Sequence, residues 1–354
     1  MPASHSVIAR PTVSVIIPAR NEEATLGACL DSLVSQKNVA FEILVVNDAS
    51  TDRTLEIAQS FSSTPNVRVT VMDAGSIPAG WTGKNNAAAT GARAASGEWL
   101  LFTDADTTHL PGSLARTLAE AGRQGVAMLS YSPRQIVKTF WEKAVMPVIF
   151  AELETSFRPS QVSDPKSSAA AANGQYILIT RDAYDAVGGH SVIGGSFLED
   201  VALARNVKRS GRKIFFRYGG DAVHTRMYRN FQQLSEGWTK NLALLFPSAA
   251  RLAALRAIEF VLIVAGIGIA IIGASYGHWR PALVTGMLGV ILYAVFLARI
   301  RRAHFYWDAN ILALFGLPLF SYLLLRSKRV HANGSVYWKG RKYSEEEHLL
   351  ATGH

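Results

Sequence analysis

The sequence predicts an α/β domain built on a mainly parallel central sheet, followed by helices that cross a membrane. Three observations carry this expectation. Short apolar runs alternate with helical patterns through the first 240 or so residues. Two long apolar runs with few charges follow, 257–275 and 281–298, each long enough to span about 30 Å of hydrocarbon as a helix. Between strand and helix patterns lie short polar segments rich in Asp, Asn and Gly, at the strand ends where open α/β sheets bind ligands.

The 354 residues leave room for both parts, and the net charge is +9. Much of the basic excess flanks the apolar runs, at Arg299, Arg301, Arg302, Arg326, Lys328, Arg329, Lys339, Arg341 and Lys342. That distribution suits anionic lipid headgroups rather than nucleic acid, for which no recognition motif stands out. A single cysteine, Cys29, excludes an internal disulfide, and its spacing with Leu26, Leu30 and Leu33 marks it as core. The N-terminus lacks the apolar core of a signal peptide, so the first part is expected in the cytoplasm.

Val13 to Pro18 reads as a first buried strand. Asn21 is a candidate N-cap for the helix that follows, with Glu22 and Glu23 at its positive start. The G-x-G-x-x-G of a dinucleotide site is absent from this turn, which argues against an NAD or FAD enzyme. Phe41 to Val46 is a second strand running out into Asn47 and Asp48. Asp48 lies too early to cap the next helix and is placed to accept hydrogen bonds from a base or ribose, whereas Asp52 reads as a cap. After a third strand, Gly80-Trp81-Thr82-Gly83-Lys84-Asn85 delivers a lysine to a helix start, a reasonable phosphate site or a plain Gly turn.

Trp99 to Phe102 is a buried strand that ends in Asp104-Ala105-Asp106. If the segment stays extended, both carboxylates point the same way and suit Mg or Mn, which can also hold a diphosphate. The bland alternative is a turn before the helix at Pro111. Further along, Asp200 starts a helix after a Gly-rich loop. His224 is either a further metal ligand or a hydrogen-bonded structural histidine.

Taken in order, VSVIIPARNEE, VVNDASTDRT, GWTGKN and FTDADT resemble the family-2 glycosyltransferases over roughly residues 12–240. The form GWTGKN is similar to the membrane-associated branch that glycosylates carotenoids and related terpenoid lipids, hopanoid-associated members included. The resemblance implies a GT-A fold and a nucleotide-diphosphate sugar donor, foremost a UDP-sugar. It implies donor-binding roles for Pro18, Arg20, Glu22, Asp48, Lys84, Asp104 and Glu199, Mg or Mn at Asp104 and Asp106, and Asp200 of the Glu-Asp motif as catalytic base. Asn47 stands where many members have Asp. Processive members carry Q-x-x-R-W where this chain has Gln233 to Trp238, so a polymer synthase is disfavoured, while Trp238 is left to shape the acceptor site.

The expected organisation is a cytoplasmic glycosyltransferase domain over 1–245, a membrane region over 246–330 and a basic cytoplasmic tail over 331–354. Gly316 and Pro318 break the third apolar run, and a third crossing would export the basic tail, so 309–325 is expected to be re-entrant or interfacial. The expected activity is inverting transfer of a sugar to a hydroxyl of a membrane lipid. The alternatives are a non-enzymatic nucleotide-sugar-binding membrane protein and a processive polysaccharide synthase.

Overall fold

Apolar runs too short for helices pair into a sheet in the computed structural model, which describes residues 11–338 and 341–344. The described residues form two units, one of 11–134 with 159–225, the other of 135–158 with 226–344. The expected tail beyond 344, and Lys339, lie outside the described residues.

In the first unit, seven described strands form one sheet. Its order is Arg68–Asp73, Phe41–Asn47, Val13–Ala19, Trp99–Phe102, Ile177–Thr180, Met128–Ser132 and Ile214–Tyr218. All neighbours run parallel except Ile177–Thr180, which is antiparallel to both strands beside it. This is the mixed, mainly parallel sheet of a GT-A fold. Its apolar residues are buried on both faces because helices cover both, which is why the runs read as continuous rather than alternating. The strand order reverses at Val13–Ala19, with Phe41–Asn47 on one side and Trp99–Phe102 on the other. Beyond the carboxyl ends of strands at such a switch point lies the usual crevice for a ligand. A small antiparallel pair, Thr107–His109 with Val223–Thr225, lies apart from this sheet.

The opposite ends of the strands are pinned by a buried carboxylate. Glu42 Oε1 accepts from Ser14 Oγ and from both the backbone N–H and hydroxyl of Ser96, each at 2.7 Å. These bonds hold its pKa below the usual carboxylate range against the opposing effect of burial.

The second unit is helical. Its described helices include Phe140–Ser156, Phe231–Leu245, Ala249–Ser275, Trp279–Ile300 and Trp307–Ala332. Thr139 and Glu142 form a reciprocal capping box at the first of these. Ala249–Ser275 and Trp279–Ile300 make a hairpin whose helices approach closely at Gly266 and Gly289. A Cβ on Gly266 would lie 3.1 Å from the Cα of Gly289, a small-residue contact typical of helices in lipid. The two helices and Trp307–Ala332 are long and apolar enough to cross a membrane.

Four sequence expectations change. The helix after the first strand starts at Leu26, not at an Asn21 cap. Asn21 is left-handed (φ 53°), and its side chain instead accepts from Thr51 N–H at 2.8 Å. Pro111 lies outside its helix, which begins at Ser113 after a left-handed Gly112. The D-x-D segment is not extended. The strand ends at Phe102, and Asp104 to Thr107 turns because both the N–H (3.3 Å) and the hydroxyl (2.7 Å) of Thr107 bond the Asp104 carbonyl. Finally, Gly316 and Pro318 do not break the third apolar run. One helix passes through both, with Gly316 packed so tightly that a Cβ there would meet the carbonyl of Ala144.

Candidate active site

The carboxyl ends of the first two strands carry Pro18, Arg20, Glu22 and Asp48. Pro18 pairs with Val46, and Asp48 N–H bonds the carbonyl of Ala19 at 2.8 Å. Arg20 Nη1 donates to the carbonyls of Asp48 (2.7 Å) and Ala49 (3.0 Å), fixing this loop from beneath. Ala49 holds a left-handed φ of 50°, so the chain turns sharply just after Asp48. Asp48 is buried. Glu22 accepts the hydroxyl of Thr25 at 2.8 Å and supports the helix entry. Asp52 is not the cap expected of it: the helix Thr54–Ser60 has Arg53 at its N-cap, and Asp52, one residue earlier, accepts the hydroxyl and the N–H (3.0 Å) of Thr54, which lower its pKa against burial.

The loop around Lys84 is held by neighbours the sequence did not single out. Thr82 Oγ1 caps the helix Gly83–Ala94 by accepting Asn85 N–H. Asn85 Nδ2 donates to the carbonyls of Ile193, Gly194 and Ser196 at 2.8 to 3.0 Å. The Trp81 ring lies over Gly194, where a Cβ would come within 2.3 Å of it. Asn86 Nδ2 reaches back to the Ala74 carbonyl at 3.0 Å. The signal was present in the Trp-Thr-Gly-Lys-Asn-Asn string: two buried amides in a first helical turn have to bond something.

This clasp sets Lys84 between two acids. Its Nζ lies 2.8 Å from Asp104 Oδ1 and 2.8 Å from Glu199 Oε1. Burial opposes its charge, but the carboxylates of Asp104 and Glu199 outweigh that and hold its pKa well above the ordinary lysine value. Asp200, beside Glu199 at the start of the helix Glu199–Arg209, accepts N–H bonds from Gly174 (2.9 Å) and Val201 (2.8 Å). Its pKa is pushed up to about 6, first by burial and then by the charge of Glu199, with Lys84 and the two N–H bonds pulling the other way. Gly174 packs closely against the group. A Cβ there would lie 3.2 Å from Lys84 Nζ, 3.4 Å from Glu199 Oε1 and 3.6 Å from Asp200 Oδ2.

Lys84, Asp104 and the adjacent pair Glu199 and Asp200 are therefore brought together by three segments far apart in sequence. Asp106 lies two residues on in the same turn as Asp104, its carbonyl accepting from Thr225 Oγ1 at 3.2 Å. His224 pairs across the small sheet with Thr108, and its Nε2 bonds the carbonyl of Gly220 at 2.9 Å. Trp238 belongs to the second unit, where it is 3 % exposed and its Nε1 donates to Met146 Sδ at 3.3 Å among the rings of Phe150 and Tyr228.

The mixed, mainly parallel sheet is typical of the GT-A fold, and a carboxylate cluster with one lysine lies beyond its strand ends. The glycosyl transferase family 2 profile matches residues 14–188. The 4,4'-diaponeurosporenoate glycosyltransferase of Staphylococcus aureus (strain USA300) is 31% identical over 346 residues, covering 94% of this chain and 88% of the relative. Its counterpart from strain bovine RF122 / ET3-1 is 31% identical over 347 residues with the same coverage. Among solved structures, the mannosyltransferase PcManGT from Pyrobaculum calidifontis, in complex with GDP-Man and Mn2+, shares the fold. Its TM-score is 0.53 at 18% identity, covering 91% of this chain and 87% of that one. The chain belongs to glycosyl transferase family 2 and is related to the carotenoid glycosyltransferases.

Proposed function

We propose that this protein is an inverting glycosyltransferase that moves a sugar from a nucleotide-diphosphate sugar, a UDP-sugar foremost, to a hydroxyl of a terpenoid or other membrane lipid. The observation that carries the reading is Asp200, a carboxylate with a raised pKa held by the Gly174 N–H beside Glu199, Lys84 and Asp104. A base poised near neutral pH next to a cation suits proton removal from an acceptor hydroxyl. The similarity to a 4,4'-diaponeurosporenoate glycosyltransferase supports a carotenoid-like acceptor.

In this reading Asp48, with Pro18, Arg20 and Glu22 around it, receives the nucleoside at the strand switch point. Lys84 sits where its ammonium meets the diphosphate, and binding of that anion draws it from Asp104 and Glu199. Asp200 takes the proton as the acceptor oxygen attacks the anomeric carbon. Attack in line with the departing diphosphate needs no covalent intermediate and inverts the configuration.

The donor set in the Asp104–Thr107 turn fits a hard divalent cation. Asp104 already holds an ammonium at 2.8 Å, and Asp106 adds a second carboxylate in the same turn. Among the described residues no third His, Cys, Asp or Glu joins them to complete a cage. Mg or Mn bound there supplies charge neutralisation to the leaving diphosphate.

The hairpin is read as crossing the membrane twice. From Arg256 to Tyr276, and again from Trp279 to Arg299, each leg is about 30 Å of helix, one hydrocarbon thickness. Tyr276 and Trp279 are 77% and 69% exposed, as an interfacial aromatic pair would be. By the positive-inside rule Arg299, Arg301 and Arg302 support a cytoplasmic position for that end, and the glycosyltransferase domain is read as facing the cytoplasm. The segment 309–325 is read as interfacial. Trp307, Ile311, Phe315, Pro318, Tyr322 and Leu325 make one exposed stripe that passes into Lys328 and Arg329. Ser321 bonds the carbonyl of Ala253, one turn from Arg256, and Arg326 bonds Ser235 of a polar helix. Labelling of cysteines placed at positions 279 and 329 checks this. Impermeant reagent on the outer face should reach 279 alone; labelling of 329 contradicts it.

The activity is tested with purified protein in detergent, a panel of UDP- and GDP-sugars, Mn and membrane lipid extract, with products read by mass spectrometry. A lipid gaining one hexose supports the reading. Metal-dependent donor binding with no transfer to any lipid would favour the nucleotide-sugar-binding alternative, and a polymer of many sugars the processive one.

A further inference from the structure

Beneath the Asp104–Thr107 turn lies a buried histidine that the catalytic reading does not use. His109 is 3% exposed and lies tilted against Tyr176, with ring centroids 5.6 Å apart. Its Nε2 lies 3.2 Å from the hydroxyls of both Thr103 and Thr107. The two nearest carbonyls assign the protons. The Thr103 hydroxyl is 2.8 Å from the carbonyl of Gln175, and the Thr107 hydroxyl is 2.7 Å from the carbonyl of Asp104. Carbonyls only accept, so each threonine spends its one proton there. Both hydroxyl oxygens are then acceptors toward the ring, and His109 Nε2 carries the hydrogen shared between them. Its Nδ1 holds the lone pair and has no hydrogen-bond partner among the described residues. Burial pushes the ring pKa down to about 3, so it is neutral.

A buried acceptor without a partner costs stability, and a leucine of similar size would avoid that cost. The Thr103 and Thr107 hydroxyl oxygens already lie 3.0 Å apart, and what the histidine supplies is one N–H shared between them. Through Thr107 it reaches the backbone of Asp104. Through Thr103 it reaches Gln175, whose neighbour Gly174 gives its N–H to Asp200. Cys29 Sγ, 3.8 Å from the Asp104 carbonyl, packs against the same turn.

We propose that His109 is a positioning residue that fixes the metal-binding turn Asp104–Thr107 relative to the segment Asn173–Tyr176 that seats Asp200. The inference rests on the glycosyltransferase reading above. It places one hydrogen bond donor behind both the cation ligands and the base, and makes donor-linked metal affinity depend on it. Outer-shell partners of metal ligands typically change metal affinity by about 10 to 100-fold when removed.

The test compares His109→Leu, which keeps volume and loses the donor, with His109→Gln, whose amide N–H can stand in for Nε2–H. Mn2+ binding in the presence of UDP or GDP, whichever the wild type takes, is read from the free-ion electron paramagnetic resonance signal, alongside kcat and donor KM. His109→Leu should weaken Mn2+ binding about tenfold or more and lower kcat, while His109→Gln stays within about threefold of wild type. Should His109→Leu not fold, His109→Met against His109→Gln makes the same comparison, with Gln retaining binding. Equal Mn2+ affinity in the Leu variant, or equal damage in the Leu and Gln variants, overturns the positioning role while leaving the enzyme reading intact. A wild type that binds Mn2+ with neither nucleotide removes both.

Discussion

Two polar clusters built from similar residues behave in opposite ways. In the first unit, Lys84 sits among Asp104, Glu199 and Asp200, three carboxylates to one ammonium. In the second unit, Glu152, Arg256, Glu259 and Arg299 tie the helices Phe140–Ser156, Ala249–Ser275 and Trp279–Ile300 with contacts of 2.8 to 3.1 Å. There the count is two carboxylates to two guanidiniums, and every charge is matched. The matched cluster is closed: Glu152 is 5% exposed, and the rigid forks of the arginines span the helices. The unmatched one keeps an excess of negative charge, uses a flexible lysine and raises the pKa of one member. A cluster that neutralises itself holds helices together. A cluster left with excess charge waits for a cation and a proton, and that difference, rather than residue type, separates scaffold from site.

The comparison breaks most visibly on removing divalent cations. Chelation, or Asp104→Asn, should lower transfer by on the order of a thousandfold, since it removes the charge partner of the diphosphate. Neither treatment should shift the melting temperature by more than a few degrees. Undiminished transfer in chelator would make Lys84 sufficient and the excess charge incidental.

The second cluster should fail in stability instead. Arg256→Met leaves Glu152 and Glu259 short of a partner, and losses on breaking a buried pair run to about 3 kcal/mol. Adding Glu152→Leu and Glu259→Leu, with Arg299→Leu, should recover most of that loss, because a matched network can be replaced by packing. Unfolding in detergent, read by circular dichroism, checks both. A comparable apolar replacement in the first cluster should restore nothing.

The pH profile sharpens the contrast. As a base, Asp200 works only when ionised, and its pKa of about 6 places the acid limb of kcat/KM there. Activity should fall about tenfold per pH unit below 6 and level off above it. A limb near 4 would mean the carboxylate is not perturbed in the working enzyme.

The smallest effect expected is that of Gly174→Ala. The added methyl meets Lys84 Nζ at 3.2 Å and Glu199 Oε1 at 3.4 Å, and both are side-chain ends that yield slightly. A severalfold loss of kcat with an unchanged melting temperature is expected from steady-state kinetics, because near-attack geometry tolerates little displacement.

Most of the sheet was legible because parallel strands buried on both faces leave continuous Val and Ile runs such as Val13–Ile17 and Phe41–Val46. The motif positions at strand ends followed from chain order alone. Local turn chemistry was not legible in the same way. Whether Asp104 to Thr107 extends or turns depends on Thr107 finding the Asp104 carbonyl, and alternation says nothing about that. Asn21 looked like a cap because its bonding to Thr51, thirty residues on, is invisible in a window of helix length. Gly316 and Pro318 suggested a break, yet tertiary packing against the helix Phe140–Ser156 keeps one helix running through them. His109 and the Glu152–Arg256–Glu259–Arg299 network went unseen because their partners come from distant segments, and pairing of that kind is a property of the fold.

The most direct test of the account is Asp200→Asn, assayed for lipid glycosylation and, in the same preparation, for binding of the donor with Mn2+. The substitution keeps the shape and removes the proton acceptor. Transfer should fall at least a hundredfold while donor affinity stays within about threefold of wild type. Transfer at the wild-type rate would remove Asp200 as the base and with it the mechanistic reading of the cluster.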